Sequence, residues 1–301
     1  MKTLYLDCFS GISGDMTLGA FIDLGIDADY LTSELKKLNL GGYTIEVSKK
    51  AKNGIMGTDV DVILHEEEEH EHEGHHHEHD HEHEGHHHEH DHEHEGHHHE
   101  HDHEHEGHHH KHEHGHSHEG HEHSHDHRNF KAIKVMIDNS TLDKKVKELS
   151  KEIFYNVAKA EAKIHGKEID EVHFHEVGAV DSIVDIVGTA ICFCKLDVDK
   201  VVASPLHTGI GTIKCQHGII PIPAPATLEI LREGKVPFYS KGIEKEMVTP
   251  TGAAIVATLA DEFHPLEEGT VVAVGYGCGK RDMKIANMLR MMLVETKKKL
   301  F

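Results

Sequence analysis

Apolar residues recur in two rhythms along this chain, one strand-like and one helical. Residues 3 to 9 (Thr-Leu-Tyr-Leu-Asp-Cys-Phe) alternate and are rich in β-favouring types, which predicts a strand ending at Ser10. A glycine-rich turn follows, Ser10-Gly-Ile-Ser-Gly-Asp15; then Leu18, Phe21 and Ile22 share one helical face and Gly25 is placed as a stop. A second short helix is predicted from about Asp29 to Leu38, and residues 43 to 50 and 55 to 64 form a hairpin turning at Asn53-Gly54. Further along, Ser140-Thr-Leu-Asp143 has the form of a capping box. Val146, Leu149, Ile153, Val157, Ala160 and Ile164 then repeat at three and four, predicting a helix ended by Gly166. A helix through Ile186, Val187, Ala190, Ile191 and Cys194 is apolar around most of its girth and is expected to be buried.

The remaining residues interleave short pieces. Strand-like runs fall at Val201 to Ala203, Val236 to Tyr239, Val271 to Val274 and Met288 to Val294. Between them, Pro221 to Pro225 feed a helix through Leu231, and Thr249-Pro-Thr-Gly252 opens another to Leu259. The fold class expected from this interleaving is α/β, built of mixed layers; the pattern does not order the strands.

Composition changes the picture at one place. Residues 65 to 127 hold 32 of the 38 histidines, 22 acidic residues and a single base, Lys111, so they carry −21 of the formal net charge of −23. An eleven-residue unit, Gly-His-His-His-Glu-His-Asp-His-Glu-His-Glu, starts at Gly74 and recurs with Gly85, Gly96 and Gly107. With almost nothing apolar to bury, the segment is expected to be disordered without a ligand. Its imidazoles suit late transition metals, and its carboxylates draw cations in. The triplets His75, His76, His77; His86, His87, His88; His97, His98, His99; and His108, His109, His110 are the candidate ligands. The alternative is a solvated linker or tag, but tags are short and terminal. The expected organisation is an α/β body made of residues 1 to 64 and 128 to 301, interrupted by this insert.

Excluding the insert, 238 residues remain, enough for a sizeable core. No apolar run is long enough to span a bilayer, and Asp7 interrupts the only apolar run near the N-terminus. Five cysteines in no CxxC pair suit a reducing compartment, so a cytoplasmic location is expected; Cys192 and Cys194 read as core. An acidic chain of this kind repels nucleic acid, and no membrane association is expected.

Three stretches could carry chemistry. Ser10, Gly11, Ser13, Gly14 and Asp15 place amides and hydroxyls at a helix start, where an anion such as phosphate is favoured. The same residues equally describe a tight turn capped by Ser13 or Asp15, and they match neither phosphate-loop fingerprint. Asp7 lies near the strand's end on the side of Tyr5 and Phe9, above that turn. The second stretch is His173-Phe-His175-Glu176, whose alternate residues share a face if extended, with Asp181 in reach; these form a credible transition-metal site. Ser182-x-x-Asp185 just beyond matches a capping box, which would leave Asp185 only a helix start. The third stretch alternates Gly275, Gly277 and Gly279 and then presents Lys280, Arg281 and Asp282; glycines admit a ligand close to the backbone and the two cations suit phosphate or carboxylate. Thr249-Pro-Thr-Gly252 is another helix start open to an anion, though Thr249 reads best as an ordinary N-cap, and His207 and His217 read as structural or surface histidines.

Together, residues 5 to 16, residues 173 to 185 and the alternating glycines up to Asp282 closely resemble the LarC family, the nickel-insertion proteins of lactate racemase cofactor synthesis. The likeness covers residues 2 to 64 and 129 to about 294. It implies a nickel insertase of the lyase class that places Ni(II) in a pyridinium bis-thiocarboxylate mononucleotide, through two sulfur bonds and one carbon bond, while CTP is hydrolysed to CMP with Mg(II) or Mn(II). On that likeness, tract histidines collect Ni(II), His173 and His175 receive it, Glu176 or Asp7 takes the ring proton, and a helix start or Lys280 and Arg281 hold the phosphate. Family members continue into a further C-terminal domain associated with nucleotide binding, in some through ribosomal frameshifting, and the lysines at residues 297 to 299 are compatible with a slippery run. The likeness therefore implies a C-terminal companion portion that binds CTP, a nickel-pincer enzyme such as lactate racemase as recipient, and allows for a homo-oligomer. The competing reading is a non-catalytic nickel chaperone or store.

Overall fold

The computed structural model describes residues 1–65, 128–172, 174 and 177–296. The first strand, β1 (Lys2–Asp7), runs into α1 (Gly14–Asp23), α2 (Ala28–Leu35) and the long hairpin β2 (Tyr43–Lys52) and β3 (Ile55–Leu64). The hairpin turns where the sequence indicated, with Asn53 and Gly54 both at positive φ. Beyond the histidine-rich segment come α3 (Phe130–Asn139), α4 (Lys144–His165), α5 (Val180–Leu196), β4 (Lys200–Ala203) and β5 (Leu206–His207). The chain continues through β6 (Thr212–Cys215), β7 (Gly218–Pro221), α6 (Pro225–Glu233), β8 (Phe238–Tyr239), α7 (Pro250–Leu259), β9 (Glu262–Phe263), β10 (Thr270–Cys278) and β11 (Met288–Glu295). The fold is α/β, as expected.

Seven strands form one mixed sheet in the order β2-β3-β10-β11-β1-β4-β9. β11 runs antiparallel to both β10 and β1, and β2 antiparallel to β3; β3, β10, β1, β4 and β9 therefore all point the same way. The C-terminal ends of parallel strands gather at one edge of such a sheet, where α/β proteins usually bind ligands. Helix α1 lies across β10 and β3, and α5 packs against α1, α2 and α4. Leu4, Leu6, Leu18, Phe21, Ile183, Val187 and Ile191 are fully buried in this core.

Glycine makes the contact between α1 and β10 possible. A Cβ at Gly277 would lie 1.7 Å from the Met16 carbonyl oxygen, and one at Gly275 2.3 Å from that of Ala20. The alternating glycines thus admit a helix, where the sequence suggested a ligand.

Two expected helix starts are corrected. Ser140 ends α3, and α4 is capped by Asp143 itself, whose carboxylate accepts from the Lys145 amide at 2.8 Å. Helix α5 begins at Val180 with Ala179 as its cap, so Ser182 and Asp185 are interior residues and form no capping box. Helix α3, whose Phe130, Ile133 and Ile137 are buried, was not foreseen, and Ile164 of the α4 repeat is exposed. The α4 stop at Gly166 (φ 62°) and the burial of α5 agree with the pattern.

Candidate functional site

The loop after β1 is tied to the turn before α7. The Ile12 amide donates to the Met247 carbonyl at 2.9 Å, and the Thr249 amide to the Ile12 carbonyl at 3.2 Å. These bonds set the starts of α1 and α7 side by side, and the start of α5 closes the group. Among them opens a cleft of about 360 Å³, lined by Ser13, Gly14 and Asp15 from α1; Asp181, Ser182 and Asp185 from α5; Thr249, Pro250 and Thr251 from α7. Val60, Asp61 and Val62 of β3, Val177, Glu246 and Lys280 complete it. Val60, Asp61 and Val62 lie in the C-terminal half of β3 and Lys280 just beyond the end of β10, towards the edge the sheet topology favours.

Five carboxylates face this space: Asp15, Asp61, Asp181, Asp185 and Glu246. Among the described residues one lysine lines it, Lys280, and it is already engaged, donating to Asp61 at 2.5 Å, to the Val60 carbonyl at 2.7 Å and to Asp59 at 3.1 Å. Partial burial alone would lower the Lys280 pKa, but the hydrogen bonds to Asp61 and Asp59 outweigh it and raise it. Hydrogen bonding to Lys280 in turn brings Asp61 down to about 2.

Asp15 and Asp185 both shift in the direction opposite to Asp61. Burial raises both, against the Ser13 hydroxyl that donates to Asp15. Asp185 is raised well above the usual carboxylate range, first by burial and then by the charges of Asp15 and Asp181. Its Oδ1 is shielded from solvent and has no hydrogen-bond partner among the described residues. The carboxylate is pressed against the start of α1, where a Cβ on Gly14 would come within 2.3 Å of Oδ2. The anion-favouring end of α1 therefore already faces a carboxylate of the protein.

Of the residues singled out in the sequence, the cleft gathers Ser13, Gly14, Asp15, Asp181 and Lys280. Asp181 is exposed, and its Oδ1 accepts from the Ser182 amide at 2.8 Å. Ser10 and Gly11 are buried in the loop behind, Gly11 donating to the Cys8 carbonyl at 3.0 Å. Asp7 does not line the cleft; its carboxylate accepts from Arg290 Nε at 2.9 Å, in cross-strand register. Arg281 reaches the Glu246 carbonyl at 3.2 Å. Thr249 caps α7, accepting from the Gly252 amide at 3.1 Å. His207 is structural, held between the Phe9 carbonyl (3.2 Å) and the Lys241 amide (3.0 Å) and stacked on Tyr239. Burial lowers its pKa and so favours the neutral ring. His173, His175, Glu176 and the tract triplets lie outside the described residues. Among the described residues no three His, Cys, Asp or Glu side chains are grouped to hold a metal ion.

Asp185, Asp61 and Glu246 escaped the sequence reading. Asp185 was masked by its resemblance to a cap. For Asp61 the signal existed, since Asp59 and Asp61 interrupt an otherwise apolar strand. Glu246 offered none.

The family model described as "Nickel insertion protein" matches residues 4–300. Over 299 residues the chain is 44% identical to the pyridinium-3,5-bisthiocarboxylic acid mononucleotide nickel insertion protein of Acetivibrio thermocellus, covering 99% of this chain and 62% of that one. Identically described proteins of Clostridium acetobutylicum and Clostridium kluyveri are 49% identical over 296 residues and 44% over 300. Each match covers 98% of this chain, and 64% and 62% of the relative respectively. The chain thus spans a little under two thirds of the length of these relatives. No solved structure matches it.

Proposed function

The chain belongs to the nickel insertion protein family, and from that premise we propose that it takes part in inserting Ni(II) into a pyridinium-3,5-bisthiocarboxylic acid mononucleotide. The observation that carries this reading is the meeting, in one cleft, of residues from all three stretches that resemble the family. Nickel is here the cargo. The histidine-rich segment collects it, and His173 and His175 receive it. As the nickel–carbon bond forms, the ring carbon gives up its proton to a carboxylate. Glu176, next to His175 in the sequence, is assigned that role in preference to Asp7, whose charge is committed to Arg290 outside the cleft. The phosphate is held at the start of α7. CTP with Mg(II) or Mn(II) drives the reaction, bound largely by a further portion of the kind that longer relatives possess. A nickel-pincer enzyme receives the product.

The test is nickel insertion into the mononucleotide with CTP and Mg(II), followed by mass spectrometry, using the full chain alone and with the unmatched remainder of a longer relative. His175→Ala is expected to abolish the nickel-containing product while nickel still binds the chain. Unchanged insertion by that variant removes His175 from the pathway. The composition of residues 65 to 127 favours a second reading, a nickel chaperone, and nickel binding without insertion in either mixture would select it.

A further inference from the structure

Away from the cleft, the tip of the β6–β7 hairpin meets the C-terminal end of α4, and metal-ligating side chains gather there. The hairpin turns through Gln216 and His217, with Cys215 paired to Gly218. The His217 ring lies 5.0 Å, centroid to centroid, from the ring of His165, the last residue of α4, at an interplanar angle of 31°. Cys215 Sγ is 3.9 Å from His217 Nδ1, and one turn back along α4 Glu161 Oε2 is 3.2 Å from His165 Nε2. A contact between two surface rings is the ordinary explanation, but the spacing argues for more. An ion bound at an imidazole nitrogen sits about 3 Å from the ring centre, so two rings sharing a tetrahedral ion have centres about 5 Å apart; a thiolate and an imidazole nitrogen on that ion are about 3.5 Å apart. The observed 5.0 Å matches the first separation, and 3.9 Å lies slightly above the second.

We propose that Cys215, His217 and His165, with Glu161 as a fourth ligand, form a site for a late first-row divalent ion. The choice of Ni(II) as that ion rests on the function proposed above. Thiolate and imidazole favour such ions over Mg(II) or Ca(II). Among the described residues no three of these side chains are already grouped around an ion, so the site closes on binding. His217 is exposed and Cys215 partly so, which leaves the hairpin tip room to turn its side chains inward. Binding releases the thiol proton to solvent. Residues 65 to 127 contain no cysteine, so a thiolate here adds a kind of ligand that the histidine-rich segment lacks. The site is thereby suited to take nickel from that segment and pass it to His173 and His175, which follow α4 in the chain.

The experiment titrates the reduced full chain with Ni(II) to saturation at pH 7.5 and follows the near-ultraviolet sulfur-to-nickel charge-transfer band, to which imidazoles and carboxylates contribute nothing. The wild-type chain is expected to develop the band with an endpoint of one nickel per chain. Cys215→Ser should abolish it, whereas Cys194→Ser, at the other cysteine that is not fully buried, should leave it unchanged. His165→Ala and His217→Ala should each weaken the nickel affinity read from the band by at least the roughly tenfold that loss of a supporting partner costs. Thermal melts establish that the variants are folded. Absence of the band while dialysis shows nickel on the chain, its survival in Cys215→Ser, or unchanged affinity in both histidine variants overturns the inference. Nickel insertion is assayed in parallel: insertion without the band leaves the proposed function standing and removes only this site, and the band without insertion does the reverse.

Discussion

Asp185 is the residue at which local pattern and tertiary structure part. Ser182-x-x-Asp185 has the sequence of a capping box, but α5 starts at Val180, and the aspartate points from the helix interior against Gly14. Nothing local reveals this, because the burial comes from α1, over 160 positions earlier in the chain. Its raised pKa has a consequence for stability. Below the unfolded carboxyl pKa of about 3.9 both states are protonated; as pH rises past it the unfolded chain ionises first, so Asp185 destabilises the fold increasingly until its own carboxyl ionises. Asp185→Asn is therefore expected to leave the melting temperature unchanged near pH 3.5 and to raise it by a few degrees at pH 7 to 8. Equal melting curves at both pH values would refute the raised pKa. Gly277 fails to announce itself in a different way. The alternation of glycines was plain in the sequence, but whether helix or ligand fills the space depends on the sheet. Gly277→Ala sets a methyl group against the Met16 carbonyl and is expected to cost about 1–3 kcal/mol or more, seen as a lower midpoint in urea denaturation, by pushing α1 from β10.

At the scale of elements, what was legible was local. The β2–β3 hairpin, the stop of α4, the all-round apolar α5 and the capped start of α7 each carry their signal within a dozen residues. Thr249 illustrates this: its hydroxyl accepts from the Gly252 amide, as the sequence suggested, and Thr249→Ala is expected to cost about 1 kcal/mol, a fall of a few degrees in melting temperature. Thr249→Ser should keep most of that stability. Helix α3 was overlooked although Asn129 and the spacing of Phe130, Ile133 and Ile137 mark it, because it directly follows a segment with no apolar rhythm. Strand order was beyond reach for a more basic reason. β1 pairs with β11, bringing Lys2 beside Glu295, and such pairings are set by packing between distant segments. The cleft inherits this limit: the starts of α1 and α7 were visible and that of α5 was misplaced by the apparent cap at Ser182, and the meeting of the three was not visible at all.

For the whole molecule, charge divides unevenly. The histidine-rich segment carries nearly all of the formal −23, and the rest is close to neutral. The cleft adds to the asymmetry locally, with five carboxylates and one committed lysine. A cationic metal is expected to be drawn towards the segment proposed to ligate it, and the folded body presents no ready-made cage among its described residues. If imidazoles are the ligands in residues 65 to 127, nickel affinity must fall as they protonate, around their ordinary pKa of about 6.5, well above the range in which carboxylates titrate. Equilibrium dialysis of the full chain is expected to show several nickel ions per chain at pH 7.5, less than half of that at pH 5.5, and recovery on return to pH 7.5. The body's melting temperature measured without nickel should change little over the same interval, which separates loss of ligands from loss of fold. Nickel retained at pH 5.5 would assign the metal to carboxylates instead, and the histidine repeats would then need another role.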